Sequence, residues 1–148
     1  LMAAAQNGHE ECTHEVLKAG AAVDQTEEDG YTALIFSCQN GHEGCARAVL
    51  EAGAAVDAQL PSGSTALILS CQNGHEGCAR ALLESGTNAN HENQKHVTAL
   101  NLACDHEHVA CAMLLLRSGA HADVMDDWGD TPRAIARKKG LGDVLLLM

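Results

Sequence analysis

The segment Cys104-Asp105-His106-Glu107-His108-Val109-Ala110-Cys111 crowds thiol, imidazole and carboxylate side chains into one short stretch. Such a set could hold zinc if enough ligands converged tetrahedrally. An activated thiolate beside a histidine could instead act as a nucleophile. Spacing along the rest of the chain weighs against both. Cys38, Cys71 and Cys104 stand 33 residues apart, as do Cys12, Cys45, Cys78 and Cys111. His9, His42, His75 and His108 form a third column at the same period. A catalyst needs one positioned group, not a ladder of copies. Cysteines repeated among Ala, Leu and Val read as small buried hydrophobes. Their odd number, seven, argues for reduced thiols. Only His106 is free of a repeated position. No catalytic residue, metal or cofactor is expected.

What positions these columns is a near-copy. Residues 32–51 (TALIFSCQNGHEGCARAVLE) and 65–84 (TALILSCQNGHEGCARALLE) differ only at Phe36/Leu69 and Val49/Leu82. Thr32, Thr65, Thr98 and Thr131 keep the period, as do Gly20, Gly53, Gly86 and Gly119. A fixed period in this range marks a repeat architecture. The frame divides the chain into a partial unit 1–31, full units 32–64, 65–97 and 98–130, and a shortened unit 131–148. Both ends fall inside units, with Met148 expected within a second helix, so the chain reads as a piece of a longer protein.

Within the unit at Thr32, the Thr side chain can cap a helix over Ala33–Gln39. Asn40-Gly41 ends it, because Gly tolerates the left-handed conformation of helix stops. A second helix over Glu43–Glu51 places Cys45, Ala46, Val49 and Leu50 on one apolar face. Helices this short are marginal alone, so neighbouring units must bury each other. Aromatics make up only 2% of the chain, which leaves Ala, Leu, Val and Cys to fill the core.

The succession T-x-L, N-G-H-E, a Leu/Val-rich helix, G-A-x-x-D and a D-G or S-G turn resembles the ankyrin repeat, over essentially the whole chain. TPRAIARKKG is similar to the last repeat of many such proteins. The resemblance implies an all-α repeat solenoid of stacked helix-turn-helix units with β-hairpin-like fingers. In that family the fingers and first helices line a concave surface that binds other proteins. It also implies that the recurrent histidines are structural, each tying its second helix to the adjacent turn. The family's T-P-L-H opening is here T-A-L-I, T-A-L-N and T-P-R-A, so the network its His makes is expected to be weaker. His96 replaces the turn glycine matching Gly30 and Gly63, and Glu107 replaces the stop matching Gly41 and Gly74. Non-Gly residues forced to positive φ cost on the order of 1 kcal/mol, so an irregular turn is expected around Asp105–His108. Asn90 stands where the family's Asn can be hydroxylated, but reads as a turn-stabilising residue like Asp24, Asp57 and Asp123.

The family's variable, partner-facing positions map to Glu28, Asp29, Gln39 and Asn40, then Pro61, Ser62, Ser64, Gln72 and Asn73. They continue at Gln94, Lys95, Val97, Asp105 and His106, and end at Asp127, Asp130, Lys138 and Lys139. Tyr31 and Trp128, each beside acids at a turn tip, are either interface anchors or packed against a neighbouring finger. The net charge of −11 is concentrated before Arg133, whereas Arg133, Arg137, Lys138 and Lys139 form a basic end. An acidic body disfavours phosphate-backbone binding, which needs clustered Lys and Arg. No run reaches membrane-spanning length. The expected function is a non-catalytic, monomeric, intracellular (cytoplasmic or nuclear) module binding a protein or peptide with basic residues. The alternatives are a structural spacer within a larger scaffold or enzyme, and a metal- or redox-responsive unit using the cysteine columns.

Overall fold

The computed structural model describes all 148 residues, folded into ten helices and no strand. First helices are α1 (Met2–Gln6), α3 (Ala33–Asn40), α5 (Ala66–Gln72), α7 (Ala99–Asp105) and α9 (Pro132–Lys139). Second helices are α2 (Glu10–Lys18), α4 (Glu43–Glu51), α6 (Glu76–Glu84), α8 (Val109–Arg117) and α10 (Gly142–Leu145). First helices pack side by side from α1 to α9, and second helices form a parallel layer behind them. The last second helix ends at Leu145, so Met148 lies beyond it rather than within it.

Each first helix from α3 onward starts as the sequence requires. Thr32, Thr65, Thr98 and Thr131 accept from the backbone N–H three residues on, at 3.2, 3.5, 3.3 and 3.2 Å. This satisfies one donor that a helix start leaves orphaned. Leu34, Ile35, Leu67, Ile68 and Leu100 are then buried between the layers. Each finger closes with one hairpin bond. Glu27, Leu60, Asn93 and Asp126 donate their N–H to the carbonyls of Tyr31, Ser64, Val97 and Asp130, at 3.0–3.1 Å.

Ties between units run along the histidine column. Nε2 of His42, His75 and His108 lies 3.1 Å from the carbonyl oxygens of Gln6, Gln39 and Gln72. These bonds run to the end of the first helix in the preceding unit, so the adjacent turn that each histidine ties is the neighbour's. The close approach also explains the glycines. A Cβ on Gly41 or Gly74 would sit 2.6 Å from Nδ1 of His75 or His108. Glu107 occupies the same position at φ 60, but Leu141, not His, stands at the next rung. The strained backbone is therefore present as expected, without the steric conflict, and Glu107 turns outward to Lys139 at 3.7 Å.

A second ladder joins the turns. Asp24 Oδ1 accepts from Ala55 N–H, Asp57 Oδ1 from Asn88 N–H, and Asn90 Oδ1 from His121 N–H, at 2.9, 3.3 and 2.7 Å. Asn90 adds Nδ2 to the Gly119 carbonyl at 3.1 Å. Its turn-stabilising reading thus has a concrete geometry.

Candidate partner-binding site

The two tip aromatics part company. Tyr31 is half-buried and stacked on Phe36, with ring centroids 4.7 Å apart and planes 18° from parallel. Trp128 is 65% exposed. Its indole caps a pocket of about 310 Å³ between the third and fourth fingers and helices α7 and α9. Val97, Leu102 and Ile135 supply apolar wall, and Asn101 lies among them. Asp105, Asp126, Asp130 and Lys138 bring the charge.

Local structure holds this arrangement. Asp126 Oδ1 accepts from the N–H groups of Trp128 (3.0 Å) and Asp130 (2.9 Å), which fixes the fourth tip. Asp127 donates its N–H to the Lys95 carbonyl at 3.2 Å, joining the third and fourth fingers. Lys95 Nζ lies 5.4 Å from the Trp128 ring centroid, within cation–π range. Asn101 completes a capping box with Thr98. Its Oδ1 accepts from Thr98 N–H at 3.0 Å and Thr98 Oγ1 at 2.6 Å. Its Nδ2 has no partner and is the one buried side-chain polar atom so placed. Leaving such a donor unmet costs about 1–3 kcal/mol.

Of the residues the sequence proposes, the pocket gathers Val97, Asp105, Trp128 and Asp130, with Lys138 beside them. Ser64 and Val97 are 8% and 5% exposed, so neither presents a free side chain. Ser64 Oγ lies at hydrogen-bond reach of Asn93, and Val97 is pocket wall. Asn40 and Asn73 spend their Nδ2 groups on the Gln6 and Gln39 carbonyls, at 3.1 and 3.2 Å. Glu28 and Asp29 are exposed on the first finger, and Gln39 and Gln72 are half-buried. Lys95 and Asp127 lie beside the pocket, and His106 is exposed and stacked on His108. The sequence reading did not select Asn101, Leu102 or Ile135. Asn101 carried a signal, because Ile35 and Ile68 occupy its place in the second and third units and every other unit has an apolar residue there.

A family model described as ankyrin repeats (3 copies) matches residues 1–93 and again 77–148. The chain belongs to the ankyrin-repeat family. Ankyrin repeats are generally protein–protein interaction modules and typically non-catalytic. No curated protein matches the chain. No helix of this ankyrin-repeat domain is long and apolar enough to cross a membrane.

The cysteine columns of the ankyrin stack are nearly all interior. Six thiols are at most 1% exposed, whereas Cys12 is exposed, against the expectation that all are buried. In the Cys12 column, Cys45 and Cys78 lie against the unit before them, at Thr13 Oγ1 (3.5 Å) and the Ser37 carbonyl (3.9 Å). The hydrogen bond that the Cys38 thiol donates to Cys78, and then burial, hold Cys38 well above the ordinary range. Cys111 and burial do the same to Cys71. Burial alone pushes Cys104 up to about 12. Native thiol titration with a disulfide reagent should therefore give one fast equivalent, lost in Cys12→Ser, and six slow ones. Several fast equivalents would contradict the packing.

The third ankyrin finger carries a titrating contact. His96, at φ 55, has Nδ1 2.7 Å from Asp127 Oδ1. The hydrogen bond and charge of Asp127 hold its pKa above the ordinary 6.5. A raised folded value makes the contribution full below the unfolded pKa and lost as pH rises through the folded one. Finger coupling is thus expected to weaken as pH rises through that raised value. An NMR titration should place His96 above 6.5, with Asp127→Asn returning it toward that value; an unchanged midpoint in the variant would refute the pairing.

Proposed function

We propose that this domain is a non-catalytic module that binds a partner protein or peptide on the face built by fingers and first helices, with units bounded at residues 32, 65, 98 and 131. The observation that carries the reading is Trp128, a large indole left exposed at the mouth of an apolar-walled pocket. Exposed aromatics over pockets are the usual anchors of interfaces. The proposed contact residues are Glu28, Asp29, Tyr31, Gln39, Asn40, Gln72, Asn73, Lys95, Asp105, His106, Asp127, Trp128 and Asp130, with Ser64 and Val97 acting from beneath. Acids at the first and last tips favour a partner with basic residues through complementarity of charge. The second-helix face offers less to a partner. Its Arg47 is already bridged between Glu43 and Glu84, at 2.9 and 3.0 Å.

The test is selection of peptides from a displayed random library on the immobilised domain. Affinities of the selected sequences are then measured for the wild type and Trp128→Ala. The proposal expects binders whose affinity falls in the variant. Binders indifferent to Trp128 and to acid substitutions at both tips would overturn the assignment of the face.

A further inference from the structure

We propose that the pocket under Trp128 receives one arginine of the partner together with a backbone carbonyl beside it: the guanidinium meets Trp128, Asp126 and Asp130, and the carbonyl accepts from Asn101 Nδ2. The inference rests on the interaction reading above and specifies its ligand chemistry.

The first observation is the unmet donor. At the equivalent place the second and third units carry Ile35 and Ile68, both buried. The fourth carries Asn101, 2% exposed, with Oδ1 held by Thr98 and Nδ2 unpartnered. Asn101 lines the pocket, and its Nδ2 is buried just beneath the surface lacking only an acceptor, so a carbonyl oxygen that parts the side chains over it satisfies it. A peptide brings one at every residue.

The second observation is charge. Three carboxylates and one ammonium line the pocket. Asp126 is locked by the turn it caps, but only through Oδ1. Asp105 faces Lys139 at 3.6 Å. Asp130 forms no ion pair. The pocket therefore holds carboxylate oxygen free to accept from a cation.

The third observation is the ring. Lys95 already sits over one side of Trp128, which shows that the indole attracts a cation in its own chain. The wall of Val97, Leu102 and Ile135 suits the aliphatic stem of a long basic side chain. Arginine fits better than lysine, because a planar guanidinium stacks on an indole and can reach two carboxylates at once.

The probe is acetyl-Gly-Arg-Gly-amide, titrated into the isotope-labelled chain and followed by NMR. Acetyl-Gly-citrulline-Gly-amide serves as control, since it keeps the shape and carbonyls but lacks the charge. The arginine peptide should shift the Asn101 side-chain amide and the Trp128 indole N–H together. Citrulline should bind about fivefold more weakly. Asp130→Asn, which breaks no contact within the chain, should cost about threefold. Asn101→Ile restores the residue of the second and third units, so it should fold, and it should weaken the arginine peptide about threefold or more. Equal binding of the two peptides, or no shift at Asn101 and Trp128, overturns the proposal. If display-selected peptides bind the finger face without a basic residue and leave Asn101 unshifted, this ligand assignment falls while the interaction reading stands. If they bind the second-helix face, the interaction face falls with it.

Discussion

Leu67→Ala should lower the free energy of unfolding by about 3 kcal/mol. Leu67 is 1% exposed on α5, and α5 packs between α3 and α7. Truncation removes apolar contact with its own layer and leaves a cavity that the short helices cannot collapse around. Stability in a repeat stack is a sum of unit and nearest-neighbour terms. A loss at the central unit should therefore also uncouple the flanks, and the urea transition should broaden as its midpoint falls. A loss below about 1 kcal/mol with an unchanged slope would show that the units are not held by this layer.

Trp128→Ala should weaken a selected peptide by tenfold or more, in line with a buried aromatic anchor at an interface, and leave the unfolding midpoint nearly unchanged. The indole is 65% exposed, so the fold loses little with it. Tyr31→Ala should behave in the opposite way. Its ring stacks on Phe36, and such a pair is worth about 0.5–1.5 kcal/mol beyond burial. The Tyr31 variant should thus lose stability first and affinity second. Calorimetry of unfolding and of peptide binding on both variants separates the two roles. Equal effects of both substitutions on binding alone would contradict the distinction.

The helices were readable because their start and stop signals are local. A Thr three residues before the N–H it caps, and a Gly where the chain must turn left-handed, need no knowledge of the rest of the fold. The positive φ at His96 and Glu107 was readable for the same reason. What Glu107 costs was not, because the decisive neighbour is Leu141, a whole unit away. The histidines illustrate the same limit. Their column declared a structural part, but the period alone could not say that the bond crosses to the preceding unit. Tyr31 and Trp128 both stand at acidic tips but at different places in the frame. Tyr31 matches the buried Ser64 and Val97, whereas Trp128 matches the exposed Asp29 and Lys95, and Phe36 then supplies the ring on which Tyr31 stacks. Asn101 stood in view within T-A-L-N as a departure from two isoleucines. Its unmet donor appears only once Thr98 is seen to occupy Oδ1. The site is therefore less legible than the scaffold, since it depends on contacts between units where the copies disagree.

The central claim is that partners dock on the finger and first-helix face, centred on the pocket under Trp128. Backbone and side-chain amide shift mapping with a display-selected peptide tests it most directly. Perturbations should concentrate at the fingers ending at Val97 and Asp130, along α7 and α9, and at the Asn101 and Trp128 side chains. Perturbations concentrated instead on α4 and α6, around Arg47 and Glu84, would contradict it.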